Sequence, residues 1–290
     1  THSTGRRQRQ MCIRDRGYGS SPILHGDVCI LNFGPGNREF LIAVDKNTGE
    51  TRWKVDSLDD TTERELSGPE NDGSANDFSS AKQRGERLRG SWNTPIIVQV
   101  DGHPELVVAL PRRVSAFDPL TGDLLWTCGG GAPLAYASVM ESDGVIVALG
   151  GYRGASLAVR AGGRGDVTAT HRVWHKPKDI GWLGTGVAHQ GAIYICDMGG
   201  VIHCTDVNTG DVLWKDRSEG GGTWSSLTQT ADGLMYLLTK SGTTTVFRPD
   251  REGLEKVAEN ELNETTNASV VVAGSDLFVR TDQALWCFSD

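Results

Sequence analysis

Three stretches of the chain repeat one order of apolar and polar positions: Leu41 to Trp53, Val114 to Trp126, and His203 to Trp214. In each, a short alternating run reads as a strand; then come an Asp, two variable residues, Thr-Gly, three further residues and a Trp. The Asp residues are Asp45, Asp118 and Asp206, the glycines Gly49, Gly122 and Gly210, and the indoles Trp53, Trp126 and Trp214. An Asp that accepts backbone N–H bonds opens a tight turn, and Thr does so more weakly. Glycine supplies the positive φ that closes a hairpin with the right twist. The Trp then falls on the returning strand, where it can cap the gap between neighbouring sheets. Three copies in register predict stacked four-stranded units, each burying its faces against its neighbours. On that reading these Asp, Gly and Trp residues are architectural.

A fourth copy is degenerate. It runs from Ala158 through Gly162, Gly163 and Gly165 to Trp174. The indole spacing keeps the register, since Trp126, Trp174 and Trp214 stand 48 and 40 residues apart. Both separations suit a blade of about 40–50 residues. Trp53 and Trp126 stand 73 apart, so that interval holds an insertion. A second marker opens several units: Gly19 to Ile23, Ser91 to Ile96 and Gly222 to Leu227. Small polar residues, often with Pro, lead there into a short strand, and Pro is tolerated at a strand's first position. This is expected to be the innermost strand of each blade.

Together the markers predict an all-β propeller of four-stranded antiparallel blades at 17–56, 90–130, 133–176, 179–218, 221–262 and 264–290. The fifth unit has lost its Trp, and the sixth stops at its third strand, so its outermost strand is expected from elsewhere. Residues 57–89 form an inserted polar loop, acidic and Ser/Gly-rich before Lys82, Arg84, Arg87 and Arg89. With almost no apolar residues it cannot pack a core. The first sixteen residues, rich in Arg and Gln, are expected to stand outside the domain as a non-native or disordered segment. Met11 to Arg16 resembles translated adapter read-through, which implies that the natural start is missing.

Bulk properties then narrow the function. Of 290 residues 38% are apolar, enough for a core, and 37 are Gly, above the average share of roughly 7%. The formal charge of −8 argues against nucleic-acid binding, which needs a clustered positive field. No apolar run approaches the ~20 residues that span a bilayer. Cys12, Cys29, Cys128, Cys196, Cys204 and Cys287 contain no CxxC pair and fit neither a zinc ribbon nor a disulfide framework. Cys196 and Cys204 could face each other across a hairpin, though buried core thiols are the plainer reading.

The repeat Ala-x-Asp-x-x-Thr-Gly-x-x-x-Trp resembles the PQQ-like (quinoprotein alcohol dehydrogenase-like) β-propeller superfamily. Leu125 to Gly130, Gly163 to His171 and Phe278 to Cys287 are similar to a planctomycete PQQ-binding-like subfamily. The resemblance spans 17–290. It implies an eight-bladed ring, of which about six blades are present, and export to the periplasm. Quinoprotein relatives hold PQQ over calcium, with adjacent cysteines, a catalytic Asp and Glu/Asn/Asp ligands. This chain has no adjacent cysteines and no Asp/Asn ladder offering the six to eight oxygens calcium takes. Neither cofactor is therefore expected.

Other motifs carry less. His171 and His175 have a metal spacing that works on a helix, but they fall on a strand without a further ligand. Arg164-Gly165-Asp166 reads as a turn among glycines, and those glycines precede no helix that could cradle phosphate. No GxSxG or HExxH occurs. What remains is the channel mouth, where Arg89, Ser91, Trp92, Asn93, Trp182, Trp224 and Ser225 are expected to converge. Aromatic residues near an Arg suit capture of a protein, peptide or small ligand. The competing role for these indoles is to fill the ring between blades. The first functional expectation is a non-catalytic binding or scaffolding propeller. A PQQ/calcium dehydrogenase sharing its site with missing blades, and a sensor domain of a larger receptor or kinase, are the alternatives.

Overall fold

The computed structural model describes residues 19–34, 40–56, 90–151 and 154–289. Arg89, Cys12, the insertion at 57–89 and the first sixteen residues lie outside them. The described chain is all-β and forms a propeller. Six blade sheets follow one another in sequence order among the described residues, and Gly90–Ser91 pairs in parallel with Leu134–Ala135 beside them. The first comprises Ile23–His25, Val28–Phe33, Phe40–Asp45 and Thr51–Asp56. The second is built on Ile96–Val100, His103–Leu110, Arg113–Phe117 and Leu124–Gly129, with Gly165–Asp166 added as a fifth strand. The third holds Met140–Ser142, Val145–Ala148, Ser156–Arg160 and Arg172–Lys176. The fourth runs from Val187 to Arg217 and the fifth from Thr228 to Glu261, each with four strands. The sixth has three: Val271–Ala273, Asp276–Arg280 and Leu285–Phe288. Apart from Gly165–Asp166, strands adjacent in sequence within each of these sheets pair antiparallel.

Period-two geometry explains the apolar runs. In the second sheet Leu106, Val108 and Leu110 face the first sheet, against Val28, Ile30, Leu41 and Trp53. Their neighbours Val107 and Ala109 face the third sheet, against Ile146, Ala148 and Leu157. Likewise Ile193 and Ile195 meet the third sheet, while Ala192, Tyr194 and Cys196 meet the fifth. Strands covered on both sides must be apolar at successive positions, so alternation fades in the middle blades.

The Asp-x-x-Thr-Gly segment is one turn made three times. The Oδ1 atoms of Asp45, Asp118 and Asp206 each accept the N–H groups two and three residues on. Gly49, Gly122 and Gly210 donate back to the Asp carbonyl, with φ of 76°, 78° and 74°. Each indole then crosses to the next sheet's turn. Trp53 Nε1 donates to Pro119 O at 3.0 Å, Trp174 Nε1 to Val207 O at 2.8 Å and Trp214 Nε1 to Asp250 O at 2.8 Å. The rings lie flat on the glycines: a Cβ on Gly122 would sit 2.8 Å from Trp53, and one on Gly210 2.9 Å from Trp174.

Trp126 departs from this scheme because the degenerate turn of the third sheet, which it faces, offers no such seat. It is fully buried, and its Nε1 donates to Glu105 Oε2 at 2.7 Å. Arg164 bonds the other carboxylate oxygen at 3.2 Å. Arg164-Gly165-Asp166 is thus more than the expected turn. Gly165 and Asp166 pair in parallel with Trp126 and Thr127, joining the third sheet's excursion to the second sheet. Cys196 and Cys204 do not face each other: Cys196 opposes Ile202 and Cys204 opposes Tyr194, and both thiols are free and buried.

Candidate functional site

The segment entering each innermost strand carries a repeated hydroxyl, and these hydroxyls join the sheets around the channel. Ser21 N–H donates to Thr94 Oγ1 at 2.9 Å, Thr94 N–H to Ser138 Oγ at 2.9 Å, and Ser138 N–H to Thr185 Oγ1 at 2.9 Å. The series continues from Thr185 N–H to Ser226 Oγ at 3.0 Å and from Ser226 N–H to Ser269 Oγ at 2.8 Å. Every bond spans one inter-sheet boundary. A backbone amide that would lack a partner in its own ladder is satisfied by the neighbouring blade.

Two residues before each hydroxyl, the same face of the extended segment presents a second set: Gly19, Trp92, Tyr136, Leu183, Trp224 and Asn267. Both sets line one open cavity of about 740 Å³. The outer set is uneven. Trp92 and Tyr136 stack at 4.8 Å, and Trp224 is 47% exposed with Lys240 Nζ 3.7 Å from its ring centre. Gly19 stands beside this pair, where a Cβ would fall 3.6 Å from the Trp92 ring. The aromatic arc runs from Trp92 through Tyr136 to Trp224, with Leu183 between the last two.

The intervening positions hold the backbone. Ser91 Oγ and Asn93 Nδ2 both donate to Ala109 O, at 2.8 and 2.6 Å, and Asn32 Nδ2 bonds Ser91 Oγ and Asn93 O. Thr223 Oγ1 and Ser225 Oγ likewise donate to Leu238 O, at 2.7 and 2.5 Å. In the sixth sheet Thr266 Oγ1 donates to Arg280 O.

The expected site residues thus separate. Trp92 and Trp224 reach the channel. Ser91, Asn93 and Ser225 are buried staples that face away from it. Trp182 is placed elsewhere: it is 4% exposed, packed between the third and fourth sheets with Ile193 and Ile195, and edge-on to His203 at 5.0 Å. Leu183, one residue on, takes the lining position, because a shift of one residue reverses the face in extended chain. Tyr136 and the hydroxyls Ser138, Thr185 and Ser269 were not anticipated. The hydroxyls' signal was a Ser or Thr at the entry to each innermost strand, recurring at blade spacing.

Chemically, the lining offers indole and phenol faces, hydroxyls and one amide. No carboxylate, imidazole or thiol is among the described lining residues. Burial pushes the thiols of Cys128 and Cys196 up to about 12, which keeps them protonated at neutral pH. His171 Nδ1 meets Thr170 Oγ1 at 2.8 Å and His175 Nε2 meets Gly130 O at 2.9 Å, so the two rings serve separate local contacts.

Residues 113–290 match the family model described as outer membrane protein assembly factor BamB. Among solved structures the chain is similar to BamB from Moraxella catarrhalis, with a TM-score of 0.60 and 14% identity over 92% of this chain and 67% of that one. The comparison with curated proteins gave no match.

Proposed function

The chain belongs to the family described as outer membrane protein assembly factor BamB, and from that premise we propose that it is a non-catalytic binding propeller which engages a protein partner or a small ligand at the channel mouth. The observation that carries this reading is the aromatic arc of Trp92, Tyr136 and Trp224, set on a bonded hydroxyl ring. An indole left 47% open at a concave mouth is the kind of residue that dominates binding energy. The family description names outer-membrane assembly, which supports a periplasmic or otherwise exported site of action.

The eight-bladed ring belongs to the same reading. Leu24, 68% exposed, shares the outward face of the first sheet with Leu31, Phe40 and Ile42. Val271, Phe278 and Leu285 occupy the outward face of the sixth. Between the other described sheets, faces of this composition are covered by a neighbour.

The chemistry of the described channel residues supports a reading without the superfamily's cofactors. Calcium prefers several carboxylate and carbonyl oxygens, and the described lining supplies hydroxyls and the single amide of Asn267. The carboxylates of PQQ would ask for cations, and Lys240 is engaged over Trp224. A photo-crosslinking residue at position 224, compared with one at Leu120 on the outer rim, tests the platform reading. Adducts to a partner, or ligand retained in native mass spectrometry, should depend on position 224. Equal labelling from both positions would refute it.

A further inference from the structure

Each channel hydroxyl is half used. The Oγ atoms of Thr94, Ser138, Thr185, Ser226 and Ser269 accept a backbone N–H from the preceding sheet, and their own hydrogens meet no acceptor among the described residues. Accepting one bond leaves a hydroxyl free to donate, so the floor of the cavity is a ring of O–H donors. The wall above is aromatic on one arc.

These features select among ligand classes. An extended peptide seeks backbone N–H and C=O groups to pair with. Here the N–H groups of Ser21, Thr94, Ser138, Thr185 and Ser226 are consumed by the ring itself. A carboxylate or phosphate seeks cations; the described lining carries none, and Lys240 beside it is engaged over the Trp224 ring. A neutral saccharide has a flat C–H face for an indole and a rim of oxygens that accept O–H donors. The cavity of about 740 Å³ lies in the range of roughly 300–1,000 Å³ common for small-ligand sites.

We propose that the channel mouth is a site for a neutral oligosaccharide, with one sugar ring over Trp224 or Trp92 and its oxygens accepting from the hydroxyl ring. This rests on the binding-platform reading and names its ligand class.

The test titrates the purified chain with cellotriose, maltotriose and chitotriose, reading tryptophan fluorescence and heat. Citrate and a neutral tetrapeptide are run alongside. At least one trisaccharide should bind saturably at concentrations up to about 20 mM, and Trp224→Ala or Trp92→Ala should weaken it about tenfold. Trp224 is exposed, so its variant should melt with the parent; Trp224→Phe should recover part of the affinity. No saturable binding by any of the three sugars overturns the proposal. So does sugar binding that neither variant weakens. Binding of citrate or peptide in place of sugar overturns the saccharide class while leaving the platform standing; silence of every probe, together with no position-224 crosslink, removes both.

Discussion

The contact between each indole and the next blade's glycine can be weighed by comparing three chemically identical substitutions. Gly49, Gly122 and Gly210 occupy the same turn with φ between 74° and 78°. They differ in what lies above them. A Cβ at position 49 would meet nothing within 4 Å, whereas at 122 and 210 it would meet the Trp53 and Trp174 rings at 2.8 and 2.9 Å. Gly49→Ala therefore carries only the left-handed backbone cost, about 1 kcal/mol. Gly122→Ala and Gly210→Ala add overpacking of about 1–3 kcal/mol, for totals of roughly 2–4 kcal/mol. Urea unfolding followed by tryptophan emission and by circular dichroism measures the differences, coincidence of the two probes testing for a single transition.

A double-mutant cycle isolates the cause. In a Trp174→Leu background the ring is gone, and Gly210→Ala should cost no more than Gly49→Ala does in the parent. The cycle's coupling would then equal the overpacking part. Equal costs at 49 and 210 in the parent, or a cost at 210 that is unchanged by Trp174→Leu, would refute the idea that the indole sits on the glycine face.

Other consequences follow from single contacts. Thr185→Val removes the acceptor for Ser138 N–H and should lower stability by about 1–2 kcal/mol in denaturant, while Thr185→Ser should stay near the parent. Cys128, Cys196 and Cys204 are buried, so iodoacetamide at pH 8 should leave them unlabelled in the native protein and modify them in urea; exposed Cys287 should label natively. Burial holds His203 below the usual imidazole range, against the pull of Asp197 at 3.1 Å. The unfolded chain then binds the extra proton first, so stability should fall below about pH 6.5, by at most ~1.4 kcal/mol per pH unit, and His203→Gln should flatten that decline.

The propeller was legible because its turn is chemically narrow. Only an Asx acceptor followed by a positive-φ glycine closes it, and the indole four residues on has a fixed seat. Where the code lapses, the sequence becomes silent. At the third sheet's degenerate turn the chain substitutes Glu105, Arg164 and a parallel two-residue strand, none of which has a local pattern. The channel was legible in part. Trp92 and Trp224 stand beside marked strand starts, whereas Trp182 has the residue type of a rim indole and a register that turns it to the core. Ser138, Thr185 and Ser269 are ordinary hydroxyl residues whose role depends on a neighbour more than forty positions away.

The residues flanking each channel indole bear on what the mouth can do. Trp224 lies between Thr223 and Ser225, both bonded to Leu238 O, and Trp92 lies between Ser91 and Asn93, both bonded to Ala109 O. The backbone on either side is tied to its own sheet, and the hydroxyl residue two positions after the indole is tied to the preceding sheet through its oxygen and to the next through its N–H. A side chain mounted this way has its Cα fixed while its ring stays open to solvent. Little backbone freedom is left to lose when something binds, which lowers the entropic cost of association. The fold and the binding surface are thereby assigned to alternate residues of one short segment. Substitutions at 92, 136, 183, 224 and 267 can change what is bound with small effect on stability, and substitutions at 91, 93, 223 and 225 cannot.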